Sequence, residues 1–229
     1  MYRSIVAFVG LLLLSIVARA DAPAGDPVAV IRKATDSLIT VIKQGKTYFD
    51  KDPERFYRDV QNVLEPIVDF DAFSRGVMAV YYKRATQPQR ERFSETFKSG
   101  LIHTYAKALL DFGNEKIDVL PSDRPRTKPD RDTVKMEVHS QEGKVYPVLY
   151  SMHSSDAGAW RIYNIVINGI NMGLTYRNQF ASLMKTPDTH NNLDEAINRW
   201  AETIAHIDPV KQGNPEGASG AEDAAPSDE

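Results

Sequence analysis

The sequence predicts an α+β fold, a meander of about four antiparallel strands with about six helices before and after it. Three observations predict the layers. Helix-start signals and apolar residues every three or four positions fill the chain up to Phe112. From Ile117 to Ile167 the apolar period drops to two, interrupted by short polar turns. Helical spacing then returns after Gly169. Helices, then strands, then helices segregate into layers instead of alternating.

Asp26-Pro27 opens the first helix, with Asp as N-cap and Pro at the first helical position. Val28, Ile31, Leu38, Val41 and Ile42 follow at near-helical spacing. Asp52-Pro53 opens a second helix carrying Phe56, Val60, Val63, Leu64 and Ile67. Asp69 caps a short third helix with Phe70, Phe73, Val77 and Val80. Thr86 and Gln89 have capping-box spacing and start the longest helix, with Phe93, Phe97, Leu101, Tyr105, Ala108 and Phe112 recurring along it. Gly113-Asn114 is its stop signal. Ile117 and Val119 mark a first strand, and a polar loop runs from Pro121 to Asp130. Val134, Met136 and Val138 alternate with polar residues in a second strand. Val145 to Met152 and Trp160 to Ile167 form the third and fourth, entered through turns at Glu142-Gly143 and Asp156-Ala157-Gly158. After Gly169 come a Met172, Tyr176, Phe180, Met184 stripe and a Leu193, Ile197, Trp200, Ile204 stripe, each the face of a helix.

The ends of the chain read differently. Arg3, an apolar run from Ile5 to Val17 and Ala18-Arg19-Ala20 have the pattern of a secretory signal peptide over residues 1–20. The run is 13 residues long, short of the roughly 20 that span a bilayer. Cleavage after Ala20 removes two arginines and takes the formal net charge from −3 to −5. Residues 209–229 hold one lysine and five acids among Gly, Ala, Ser and Pro, a composition expected to be disordered. The domain is then 21–208, with neither a nucleic-acid footprint nor a polybasic run for an anionic membrane. There is no cysteine, so disulfides, thiolate nucleophiles and Cys-type zinc sites are excluded together.

No constellation points to catalysis. The five histidines, His103, His139, His153, His190 and His206, show no ligand spacing, and His139 and His153 read as exposed strand ends. Ser151 and His153 share a strand face without a third orienting group. Asp69 with Asp71 and Asp130 with Asp132 read as caps and solvated loop charge. The strands are more informative. Val145, Pro147 and Leu149 lie on one face of the third strand, and Tyr146, Val148, Tyr150 and Met152 on the other. Trp160, Ile162 and Val166 lie on one face of the fourth, and Tyr163, Ile165 and Ile167 on the other. An antiparallel sheet usually wets one face. Two apolar faces imply either helices packed on both, with a solid core, or a sheet and helices standing apart around an apolar cavity.

Two blocks carry a family resemblance. One runs from Val68 to Leu109, VDFDAFSRGVMAVYYKRATQPQRERFSETFKSGLIHTYAKAL. The other runs from Trp160 to Phe180, WRIYNIVINGINMGLTYRNQF. Together they resemble the MlaC, or toluene-tolerance, family of periplasmic phospholipid carriers, with similarity of pattern from about Pro27 to Ile204. The resemblance implies a twisted four-stranded antiparallel sheet surrounded by about six helices and enclosing an apolar lipid cavity, in a non-enzymatic periplasmic protein without a cofactor whose ligand is phospholipid. It implies a shuttle, in a system for outer-membrane lipid asymmetry, between an outer-membrane lipoprotein-porin complex and the substrate-binding ring of an inner-membrane ABC transporter. The other two classes are a small α+β enzyme for a hydrophobic molecule and a protein-only periplasmic adaptor.

For a carrier, the expected lipid-binding residues are Val148, Tyr150, Ile165 and Ile167 from the sheet and Phe97, Leu101 and Tyr105 from the long helix. Tyr163, like Tyr105, Tyr150 and Tyr176, pairs an apolar ring with a polar tip suited to a cavity mouth. The opposite choice of strand face gives Pro147, Leu149, Ile162 and Val166.

Overall fold

The computed structural model describes residues 25–111, 115–123, 126, 128–154 and 158–205. The expected signal peptide, the Gly113-Asn114 stop, most of the Asp156-Ala157-Gly158 turn and the acidic tail lie outside them.

The helix starts follow local chemistry. Helix α1 (Pro27–Gly45) begins where the Asp26 carboxylate accepts from the Val28 amide at 3.0 Å. Helix α2 (Pro53–Leu64) uses Asp52 against the Arg55 amide at 3.0 Å. Helix α3 (Phe70–Met78) uses Asp69 against the Ala72 amide at 2.9 Å. A 3-10 helix (Ala79–Arg84) follows it. Helix α4 (Gln87–Leu109) opens on a complete capping box. The Gln89 amide donates to Thr86 Oγ1 at 3.4 Å, and the Thr86 amide to Gln89 Oε1 at 2.9 Å. Each cap satisfies amides that the first helical turn leaves unpaired.

The strands β1 (Lys116–Pro121), β2 (Arg131–His139), β3 (Val145–Ser154), β4 (Trp160–Ile167) and β5 (Ile170–Asn171) form one antiparallel sheet in the order β1-β2-β3-β4-β5. The sequence predicts the first four. The fifth has two residues, joined to β4 by Asn168 and Gly169 at φ 50° and 83°. Two consecutive positive φ values are what a tight Asn-Gly hairpin turn requires. Helix α5 (Met172–Met184) starts at once after β5, and α6 (Leu193–Ala205) closes the described chain.

A β-bulge between Ser151 and Met152 resolves the puzzle of two apolar faces. Met152 pairs with Ile162 and Ser151 with Asn164, so Tyr163 is the extra residue. The bulge shifts the alternation by one. Trp160 and Ile162 therefore share a face with Ile165 and Ile167 across the irregularity. That face also carries Val134, Met136, Tyr150 and Met152, in or packed against the main core, and the buried Val148. The sheet thus has one inner face, covered by α1, α3 and α5. Its other face carries Lys135, Glu137, Leu149 and Val166, half-buried.

Two cores result. The main one is an aromatic nest of Phe93, Phe97, Tyr176, Phe180 and Trp200, each fully buried, between α4, α5 and α6. The four residues of the predicted α5 stripe are all buried in it. A smaller core of Ile42, Phe56, Val60, Ile102 and Ala106 joins α1, α2 and the other side of α4.

Candidate functional site

Helix α4 presents three apolar rows. Phe93 and Phe97 point into the aromatic nest, and Ile102 and Ala106 into the second core. Between these rows stand Leu101 and Tyr105, only half-buried and packed at the margin of the main core. The chief packing partners of α4 are α6, α3 and α2, whereas the inner face of the sheet is packed by α1, α3 and α5. At this margin the sheet contributes Met136, Tyr150, Ile165 and Ile167, again apolar and half-buried. These half-buried apolar residues of α4 and of the sheet, packed against one core, define a candidate seam between the two.

Tyr150 shows how deep this seam runs. Burial alone pushes its phenol well above the ordinary tyrosine range. Its side chain nevertheless retains accessible surface. The few polar atoms here are already paired. The Tyr150 hydroxyl donates to Met136 Sδ at 3.6 Å, and Thr35 Oγ1 to the same sulfur at 3.9 Å. Tyr176 donates to the Tyr105 hydroxyl at 2.7 Å, and burial followed by that contact pushes the Tyr176 phenol up. Such a seam offers little to a charged group and much to hydrocarbon.

The expected residues fall into different settings. Leu101, Tyr105, Tyr150, Ile165 and Ile167 are each half-buried and packed against the main core, and Val148 is buried beside Ile167, its cross-strand partner. Phe97 is fully buried against Phe73, Tyr176 and Trp200, one helical turn behind Leu101. Tyr163 stands apart, because the bulge diverts it to His153 (ring centroids 5.6 Å apart) and under the Arg131 guanidinium. Of the opposite-face set, Ile162 joins the inner face through the bulge, while Leu149 and Val166 pair on the outer face. Met136, which sequence reasoning left out, belongs at the seam; its alternation with Lys135 and Glu137 was the available signal. Hollows of about 590 and 350 Å³ open elsewhere, beside the 3-10 helix and the C-terminal half of α5, and include none of the expected residues.

The histidine reading needs correction. His153 is half-buried, and its Nε2 lies 2.9 Å from Asp69 Oδ2, the same residue that caps α3. His139 Nε2 lies 3.0 Å from Asp118 Oδ2. His153 is therefore committed to the cap of α3, not to Ser151. Among the described residues no group of acids and histidines is arranged to hold a metal, and no helix is long and apolar enough to cross a membrane.

The family model for MlaC protein matches residues 32–202, which include the seam and every helix that frames it. The chain belongs to the MlaC family. A curated relative, toluene tolerance protein ttg2D of Pseudomonas putida, is 36% identical over 191 residues, covering 83% of this chain and 86% of the relative. The intermembrane phospholipid transport system binding protein MlaC of Haemophilus influenzae is 27% identical over 150 residues, 64% of this chain and 69% of that protein. Among solved structures, a phospholipid-binding protein from Ralstonia solanacearum in complex with a phospholipid matches with a TM-score of 0.69 at 24% identity. The match covers 79% of this chain and 98% of that one. At that identity the likeness speaks for the fold, and the MlaC architecture of sheet and helices is the one described above.

Proposed function

We propose that this MlaC-family protein is a periplasmic carrier that takes phospholipid acyl chains into the seam between α4 and the sheet. The observation that carries the reading is the apolar, half-buried margin on two elements that do not pack closely on each other, with Leu101 and Tyr105 on one side and Tyr150, Ile165 and Ile167 on the other. Family membership supports it, as do the phospholipid named with the Ralstonia structure and the transport role named for the Haemophilus relative. The acyl chains part the two sides, and the head group stays in water at the open end. The protein acts by burial and carries out no reaction.

Each buried methylene contributes about 0.8 kcal/mol, so one chain of roughly sixteen carbons gains on the order of 12 kcal/mol before ordering and association costs. Loss to water is therefore slow, and release needs an acceptor that offers equal burial. In this reading residues 1–20 direct export and are removed, residues 21–208 bind lipid, and the acidic tail is dispensable for cargo. The acceptors are the substrate-binding ring of an inner-membrane ABC transporter and an outer-membrane lipoprotein-porin complex.

Leu101→Arg and Ile165→Arg test the seam, because each puts a guanidinium where the acyl chain lies while starting from a half-buried position that tolerates folding. Both variants are expected to take up at least about tenfold less fluorescent phospholipid from vesicles than the wild type, with unchanged circular dichroism. Wild-type uptake in both folded variants would remove the seam as the binding site.

A further inference from the structure

We propose that the end of the molecule formed by the 3-10 helix and the C-terminal half of α5 is a docking face for an anionic lipid surface. Val80 is its tip. It is 77% exposed, more than any other large exposed hydrophobic of the described chain, where Val145 reaches 47%. It follows Ala79, whose φ of 47° and ψ of −120° are rare for a residue with a side chain. That break ends α3 and turns Val80 outward.

Four cations surround the tip: Lys83 and Arg84 on the 3-10 helix, Arg177 on α5 and Lys185 at its C-cap. Arg84 also lies over the Tyr81 ring at 4.9 Å and donates to Asn191 Oδ1 at 2.7 Å. Among the described residues none of the four has a carboxylate partner. Several cations elsewhere do: Lys98 with Glu65, Lys135 with Glu137, Arg92 with Asp194 and Arg199 with Glu195. The neighbouring acid Asp188 is turned to Arg199 at 3.1 Å, and Asp71 accepts from Ser94 Oγ at 2.6 Å. Neither nearby hollow has an acidic residue in its lining.

A chain of net charge −3 thus carries a local patch of unpaired positive charge around a protruding apolar residue. The sequence shows no polybasic run because the fold assembles the patch from residues 83–84 and 177–185. Lys and Arg are drawn to the negative potential of anionic lipid, and a projecting valine beside tyrosine enters the interface between head groups. Val80 borders the hollow beside α5 yet stays 77% exposed, and so prominent an apolar side chain suits a lipid plane better than an acidic peptide.

The face is separate from the cargo seam, so the two readings fail separately. The test is co-sedimentation of lipid-loaded protein with vesicles of phosphatidylcholine alone and of phosphatidylcholine mixed with phosphatidylglycerol. Binding is expected on the mixed vesicles only, and is expected to disappear near 1 M salt, where screening shortens to about 3 Å. Arg177→Glu with Lys185→Glu, and separately Val80→Asp, should each reduce that binding at least about fivefold while leaving co-purified lipid unchanged. Equal binding to neutral vesicles would overturn the proposal. So would failure to bind either vesicle, together with salt-sensitive binding of poly-glutamate, which would assign the face to an acidic protein segment.

Discussion

Gly173 stands where the sheet hands over to α5, and a Cβ there would meet Asn164 Oδ1 at 2.6 Å. That oxygen accepts from the Gly173 amide at 3.0 Å, and Asn164 Nδ2 donates to Asn171 Oδ1, which caps α5 through the Leu174 amide. Gly173→Ala is therefore expected to displace the cap network and destabilise the protein by about 1–3 kcal/mol, read from urea unfolding. Tyr48 gives a pH prediction. Burial first, then its 2.5 Å hydrogen bond to Asp59, pushes its phenol from 10.0 to about 12. A raised folded-state value means that this contribution is complete below pH 10 and is lost as pH rises toward about 12. Stability should decline over that range, and the decline should be shallower in Tyr48→Phe. At this scale the sequence is readable where partners are close along the chain: Asp26, Asp52, Asp69 and Thr86 all cap the helices they were expected to cap. It is not readable for His153, because Asp69 is 84 positions away and only the β4-side packing of α3 brings them together.

Among the elements, α4 depends on its capping box. Thr86→Ala should cost about 1 kcal/mol, with a matching fall in the thermal midpoint, because the Gln89 amide loses the hydroxyl that accepts from it. Helix α4 also shows the limit of periodicity. Phe97, Leu101 and Tyr105 fall on nearly the same spacing, yet Phe97 is enclosed by aromatic rings of α3, α5 and α6 while the other two reach the margin. Spacing identifies an apolar row but not what lies opposite each member of it. The strand reading has the corresponding limit in β4. One extra residue at the bulge leaves composition unchanged but moves Trp160 and Ile162 onto the face of Ile165 and Ile167, so a strand with one inner face reads as apolar on both. The hairpin into β5 was not expected, although Asn168-Gly169 carried its signal, because few other pairs adopt two positive φ values without strain.

At the scale of the whole molecule, helices and meander follow from the sequence because each element carries its own period and its own punctuation. The seam is less legible, since it exists only where α4 and the sheet face one another, supported by different neighbours. Its members are moderately apolar residues left half-buried, which no single position announces. These facts converge on one claim: this MlaC-family chain holds the acyl part of a phospholipid against the inner face of its sheet. The most direct measurement is mass spectrometry of an organic extract from mature protein purified from the periplasm without detergent. The account predicts phospholipid in stoichiometric amount, with mixed head groups because the seam holds few polar atoms. A lipid-free extract, from protein that also takes up no phospholipid from vesicles, would contradict it.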